Sequence, residues 1–167
     1  MSQFTVLLIT AALSFMPVSE LRGAIPFAII NGIPWYWAYL FAVLFNALIA
    51  PACWIFLATI HKLFYGTSPE KGFRWYKILF DRFVERARQK LSAGMEKWGW
   101  LGIALFVAVP LPITGAWTGT IGSWVLGVSK RRTMLAVIIG VIIAGAIVTA
   151  VMVLGIEVFN IFIKTII

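Results

Sequence analysis

The stretch "FMPVSELRGAIPFAI", Phe15 to Ile29, sets an acid, a base and two prolines inside a segment that is otherwise apolar. Each charge at the centre of a membrane helix costs about 2.5–3.5 kcal/mol on insertion scales, so two unpaired ones would cost around 6 kcal/mol. Glu20 and Arg22 therefore need a reason to be there. Two positions apart they diverge on a helix, but on extended backbone they point to the same side. Pro17, Gly23 and Pro26 around them predict such an unwinding, with Pro26 in the first turn of a returning half-helix.

The surroundings are those of a membrane protein. The 167 residues have a mean hydropathy of +0.97, with 62% hydrophobic and only 12% charged residues, which is too apolar for an ordinary soluble domain. Several apolar runs exceed the 18 or so residues of a bilayer span, so the chain reads as polytopic. The start, "MSQFTVLLITAALSF", has no basic region and runs on into apolar sequence, unlike a cleaved signal peptide. The net charge of +8 is concentrated in a connecting segment and in "SKRR", where it reports orientation and headgroup attraction rather than nucleic-acid binding. Cys53, the single cysteine, reads as a small buried hydrophobe. With one histidine, one cysteine and no clustered acids, neither a metal site nor a catalytic triad is expected, and no enzyme activity or cofactor.

Five blocks follow along a single membrane domain, residues 1–167. Residues 4–34 are apolar but interrupted, and 35–61 form a long apolar run opening on "WYWAY". Residues 62–97 carry nine Lys or Arg against four acids. Residues 98–128 are again apolar, interrupted by "VPLPITGAWTG", and a last span follows "SKRR". Both basic clusters belong on the cytoplasmic side. The block between them must then enter and leave by one face, yet at about 31 residues it is too short for two crossings of about 20 residues each. A re-entrant hairpin of two half-helices fits. The same reasoning makes 4–34 a hairpin from the opposite face, with Trp35, Tyr36, Trp37 and Tyr39 at the outer interface.

The predicted fold is thus all-α and integral to the membrane. It has two inverted repeats, each a re-entrant hairpin plus a transmembrane helix (1–61 and 98–167), joined by a cytoplasmic amphipathic connector (62–97). A weak echo at an offset of 92 supports the repeat: "LRGA" at Leu21–Ala24 against "ITGA" at Ile113–Ala116. In the connector, Phe73, Tyr76, Phe80, Phe83, Ala87 and Leu91 recur at helical spacing against a charged face, as in a helix lying on a membrane surface.

Unwound backbone persists in hydrocarbon only inside protein or beside a wet cavity. The second break should hold Pro110, Pro112, Gly115 and Gly119, with Thr114 and Thr118 supplying hydroxyls. Two half-helix N-termini would then converge on a midplane site. There Glu20 is the candidate proton carrier and Arg22 a fork for phosphate or carboxylate. Asn46, within the second block, is expected to make an interhelical hydrogen bond, and His61 and Glu157 to sit at interfaces.

The strings "PVSELRGAIPFAI" at 17–29 and "PLPITGAWTGTIGSWVLGVSKRR" at 110–132 resemble the two signature regions of the small multidrug export protein family, a relative of the DedA membrane-protein superfamily. The resemblance covers most of the chain in the same order. It implies paired re-entrant hairpins and membrane transport, and for the superfamily translocation of lipid or polyprenyl phosphates, with protons as coupling ion. By position Glu20, Arg22, Gly23 and Pro26 match the first motif, and Pro110, Pro112, Thr114, Gly115, Trp117, Thr118 and Gly119 the second. DedA proteins proper carry an arginine in the second hairpin region, whereas here that stretch is uncharged until Arg131 and Arg132.

The leading expectation is translocation of an anionic amphiphile such as a lipid phosphate. The alternatives are a proton-driven exporter of cationic drugs with Arg22 structural, and a non-transporting scaffold. Membrane lipids are the expected partners, and a homodimer is a candidate assembly because so short a chain has little protein to wall a polar site from lipid. The charge bias itself is testable: cysteines placed at Gly66 and Ser129 should resist an impermeant maleimide added to the outside of intact cells and react after permeabilisation.

Overall fold

A computed structural model describes residues 1–61, 78, 81, 82, 85, 98–111 and 114–166. The amphipathic connector expected over 62–97 lies, isolated positions apart, outside the described residues, as do Pro112, Ile113 and the side chains of His61 and Glu157. Among the described residues all regular structure is helical. Helix α1 (Gln3–Phe15) is opened by Ser2, whose Oγ accepts the Thr5 N–H at 3.2 Å and so satisfies one of the free donors of the first turn.

Helix α1 ends for a local reason. The ring of Pro17 clashes with a helical residue before it, and Met16 accordingly lies at φ −71°, ψ 135°. After the break at Met16–Ser19 the chain resumes as α2 (Glu20–Ile30). That helix closes with a pair of bonds, Gly32 N–H to Ile29 C=O and Ile33 N–H to Ala28 C=O, wrapped around Gly32 at φ +86°. This left-handed C-cap strongly favours a residue without a Cβ. Pro34 then leads into α3 (Trp35–Ala47), which continues after Leu48 as α4 (Ile49–Phe56) and a π-helical turn, Leu57–His61.

The second half repeats this order. Helix α5 (Trp100–Ala108) stops at Val109, again extended (φ −81°, ψ 114°) and again followed by proline. Helix α6 (Ala116–Val125) closes around Gly127 at φ +71° with the same two bonds, Gly127 N–H to Trp124 C=O and Val128 N–H to Ser123 C=O. The chain then enters α7 (Lys130–Ile166). Helix, proline-forced break, helix, glycine turn and long helix thus occur twice in succession.

Packing between the halves is reciprocal. In the first half α1, α2 and α3 pack together, and in the second α5, α6 and α7 do. Helix α2 also packs on α7, while α6 packs on α4, so the second helix of each half lies on the long helix of the other. Close approach is possible because the buried faces are dominated by small residues, among them Ala24, Ala28, Ala42, Ala104, Ala116 and Ala136. Gly140 of α7 is one such point, where an added Cβ would lie 2.7 Å from the Ala104 carbonyl oxygen of α5.

The outer faces are as apolar as the core. Leu40, Leu44 and Ile55 on one long helix, and Leu135, Ile139 and Ile142 on the other, are exposed, which in water would be a large sticky surface and in lipid is the ordinary one. The apolar stretches Trp35–Thr59 and Lys130–Ile156, of 25 and 27 residues, are long enough to cross a hydrocarbon core of about 30 Å at 1.5 Å per residue.

Several positions differ from the sequence reading. Pro26 does not start the returning helix: it is inside α2, which already begins at Glu20. Its ring withholds an N–H from the Arg22 carbonyl, a local weakening that the packing of α2 on three neighbours overrides. Gly23 and Gly119 are also helical and lie outside the breaks. An interruption at Leu48 was not anticipated; Pro51, with no N–H to offer the Ala47 carbonyl, accounts for it. Replacing Gly140 by alanine should lower detergent-phase stability by about 1–3 kcal/mol through overpacking, seen as a reduced thermal midpoint, while Gly155→Ala, with open space around it, should leave the midpoint unchanged.

Candidate functional site

The two breaks meet, and the first reaches the second through Arg22. Its side chain leaves the first turn of α2 and donates from Nη1 to the Leu111 carbonyl and from Nη2 to the Thr114 carbonyl at 2.6 Å. A fork of fixed N–H donors suits two diverging carbonyls that no helix satisfies. The Thr114 hydroxyl is likewise engaged within its own break. It lies 2.6 Å from Val109 O and 2.7 Å from Leu111 O and accepts the Leu111 N–H at 3.1 Å. Thr114 thus holds the shape of the second break, and Arg22 ties that break to α2.

Glu20 faces the other end of the same break. It is 5% exposed, and its backbone sits at φ +44°, an uncommon conformation for a residue with a side chain, costing on the order of 1–3 kcal/mol. That turn aims the carboxylate across at α6. Oε1 accepts the Trp117 N–H at 3.4 Å, within the first turn of α6, where free N–H groups and the positive end of the helix dipole favour an anion. Oε2 stands 3.9 Å from Arg22 Nη2, at the outer limit of an ion pair. Gly115 makes the approach possible: its φ of +148° suits glycine, and a Cβ there would overlap the Glu20 carboxylate.

A third tie runs in the opposite direction. Trp117 Nε1–H of α6 donates to the Phe15 carbonyl at 2.9 Å, at the end of α1, and its ring meets Phe15 edge to face with centroids 5.7 Å apart. Each half therefore supplies donors to carbonyls in or beside the other half's break.

Behind these contacts lies a small cavity lined by Glu20, Arg22, Asn46, Thr114 and Gly115, closed by apolar side chains of α5 and α7. About 10 Å³ of it is open to the centre of a water molecule, room for about one. Asn46 reaches it from α3, just before the interruption at Leu48, and is completely buried. Its Nδ2 donates to the Ser14 carbonyl of α1 at 2.7 Å.

Of the residues singled out in the sequence, Glu20, Arg22, Thr114 and Gly115 come together here, and Pro110 also lines the cavity. Pro17 shapes the first break without lining the cavity. Thr118 is buried inside α6 and does not line it, and Gly119 packs instead against Val107. The carbonyls of Leu111, Thr114 and Phe15, which accept the contacts between the two breaks from Arg22 and Trp117, carry no side-chain signature and are invisible in the sequence. Asn46 did have a signal, a lone amide in an apolar run.

Apolar helices of crossing length, lipid-compatible outer faces and an acid–base pair where two broken segments meet define a helical membrane protein. Residues 20–147 match the family model described as "Putative small multi-drug export protein", which spans most of the chain, and the chain belongs to that family. No curated protein and no solved structure matches it.

Arg22→Lys should lower stability by about 1–3 kcal/mol, because one ammonium cannot satisfy both carbonyls in the forked geometry. Gly115→Ala should be at least as damaging, through backbone strain and collision with Glu20 together. Thermal midpoints of the purified variants in one detergent check both.

Proposed function

We propose that the protein is a multi-pass membrane exporter in which Glu20 is the exchangeable group, binding a proton and a cationic, partly apolar substrate in alternation, while Arg22 is the clamp that holds the second break. The observation that carries this reading is the division of labour between the two charges. The Arg22 fork is spent on the Leu111 and Thr114 carbonyls. Glu20 accepts a long bond from the Trp117 N–H, stands beside the Ala116 N–H and makes a long ion pair, contacts that are weaker and more easily given up than the fork. The family description, small multi-drug export, agrees with a carboxylate that meets cations.

Translocation of an anionic amphiphile is the weaker reading on the same geometry. An anion would need the guanidinium and the N-terminus of α6, and in this conformation protein carbonyls hold the one and the Glu20 carboxylate faces the other. In the favoured reading, protonation of Glu20 would release the start of α6 and loosen the contact between the halves, and deprotonation would restore it. The recurring order of elements and the reciprocal packing of α2 on α7 and α6 on α4 support two inverted repeats with re-entrant helix pairs, the arrangement that the DedA resemblance implies and that puts a site near the bilayer midplane.

Export of a fluorescent lipophilic cation from proteoliposomes, driven by a pH gradient, tests the proposal. Native protein should be active, Glu20→Gln inactive though folded, and Arg22→Lys active in proportion to the protein that remains folded. A fluorescent polyprenyl-phosphate analogue serves as the opposing arm. If that analogue moves and the cation does not, with Arg22→Lys dead and Glu20→Gln spared, cation export is the wrong class.

A further inference from the structure

Asn46 has an unused half. It is completely buried, its Nδ2 is committed to the Ser14 carbonyl at 2.7 Å, and its Oδ1 has no hydrogen-bond partner among the described residues. A buried acceptor left unmet costs about 1–3 kcal/mol, so native proteins seldom leave one without a donor. Asn46 lines the same one-water cavity as Glu20. The cavity is polar on one side and of the size that a water bridging two polar groups requires.

We propose that Asn46 is the second polar group of the Glu20 site and positions its proton. When Glu20 is protonated, the carboxyl O–H donates to Asn46 Oδ1, directly or through a single water in the cavity. When Glu20 is ionised, that water donates to both oxygens. The proton comes from the aqueous phase and returns to it, and Asn46 neither gains nor loses one. This rests on the reading of Glu20 as the exchangeable carboxylate and adds what it lacked, a partner for the protonated form.

The two states then pull on different parts of the fold. Ionised, Glu20 is drawn to the Trp117 N–H of α6 and to Arg22. Protonated, it loses most of its attraction to either and needs an acceptor, and among the described side chains lining the cavity Asn46 offers an unengaged one, whereas the Thr114 hydroxyl already has partners in its own break. Among the residues lining the cavity, Arg22 is the one charged group besides Glu20, and α3, α5 and α7 bring no titratable side chain to it. Asn46 stands next to the α3–α4 interruption, so a changing pull on its amide acts where that long helix is weakest.

Infrared difference spectra of the full chain in lipid, recorded between acidic and alkaline pH, test this. The protonated-carboxyl C=O band assigned to Glu20 is the one missing in Glu20→Gln. Asn46→Leu removes both the acceptor and the tie to Ser14. Asn46→Ser also removes the tie but leaves an acceptor and space for water. The Glu20 band should move to higher frequency in Asn46→Leu and stay near its native position in Asn46→Ser, and pH-driven export should fall about five- to tenfold in the leucine variant alone, the worth of about one hydrogen bond. Equal changes in the two variants would mean that Asn46 is only a structural tie and would overturn the proposal, as would an unmoved band in Asn46→Leu. Asn46→Val replaces the leucine variant if that fails to insert. Absence of any Glu20 band in the native protein would instead overturn the exchangeable-carboxylate reading, and this proposal with it.

Discussion

The structure turns on the backbone of one break being satisfied by the side chains of another. A chain that leaves helical geometry away from water exposes N–H and C=O groups that an apolar surrounding cannot solvate, at a cost of about 1–3 kcal/mol each. Here Arg22 takes the carbonyls of Leu111 and Thr114, Glu20 takes an N–H at the start of α6, and Trp117 returns a donor to Phe15. Neither break is self-sufficient. The pairing explains why an acid and a base stand two residues apart in an apolar segment: they are cut to fit the two ends of the opposite break.

That arrangement has a weak member and a strong one. The guanidinium contacts are bidentate and charge-assisted, while the carboxylate is held at the limits of bonding distance. A site that must change state during transport needs one group fixed in place and another free to let go. The glycine at 115, the left-handed backbone at Glu20 and the water-sized cavity behind them all serve the carboxylate rather than the guanidinium. Strain concentrated on one residue, with the surrounding packing regular, is the pattern expected where function and not stability selects the conformation.

Much of the local architecture was legible because its causes are local. A proline restricts the residue before it, so Met16–Pro17 and Val109–Pro110 announce where α1 and α5 stop. The same logic misleads when packing outweighs it. Pro26 has the context of a helix start and is a helix interior, Gly23 and Gly119 have the context of a break and are helical, and Pro51, which does interrupt a helix, stands in an apolar run with no other signal of a break. A proline weakens a helix wherever it stands, and whether the helix survives depends on neighbours far away in the chain.

The amino-acid sequence by itself determined the membrane character, the two breaks and the presence of an acid and a base within an apolar segment, since these follow from transfer energies and backbone sterics acting over a few residues. What Glu20 and Arg22 hold was decided only by the tertiary structure. Their partners are backbone atoms of Leu111, Thr114 and Trp117, some ninety residues distant, and a carbonyl or an N–H has no identity in a sequence until folding leaves it without its helix.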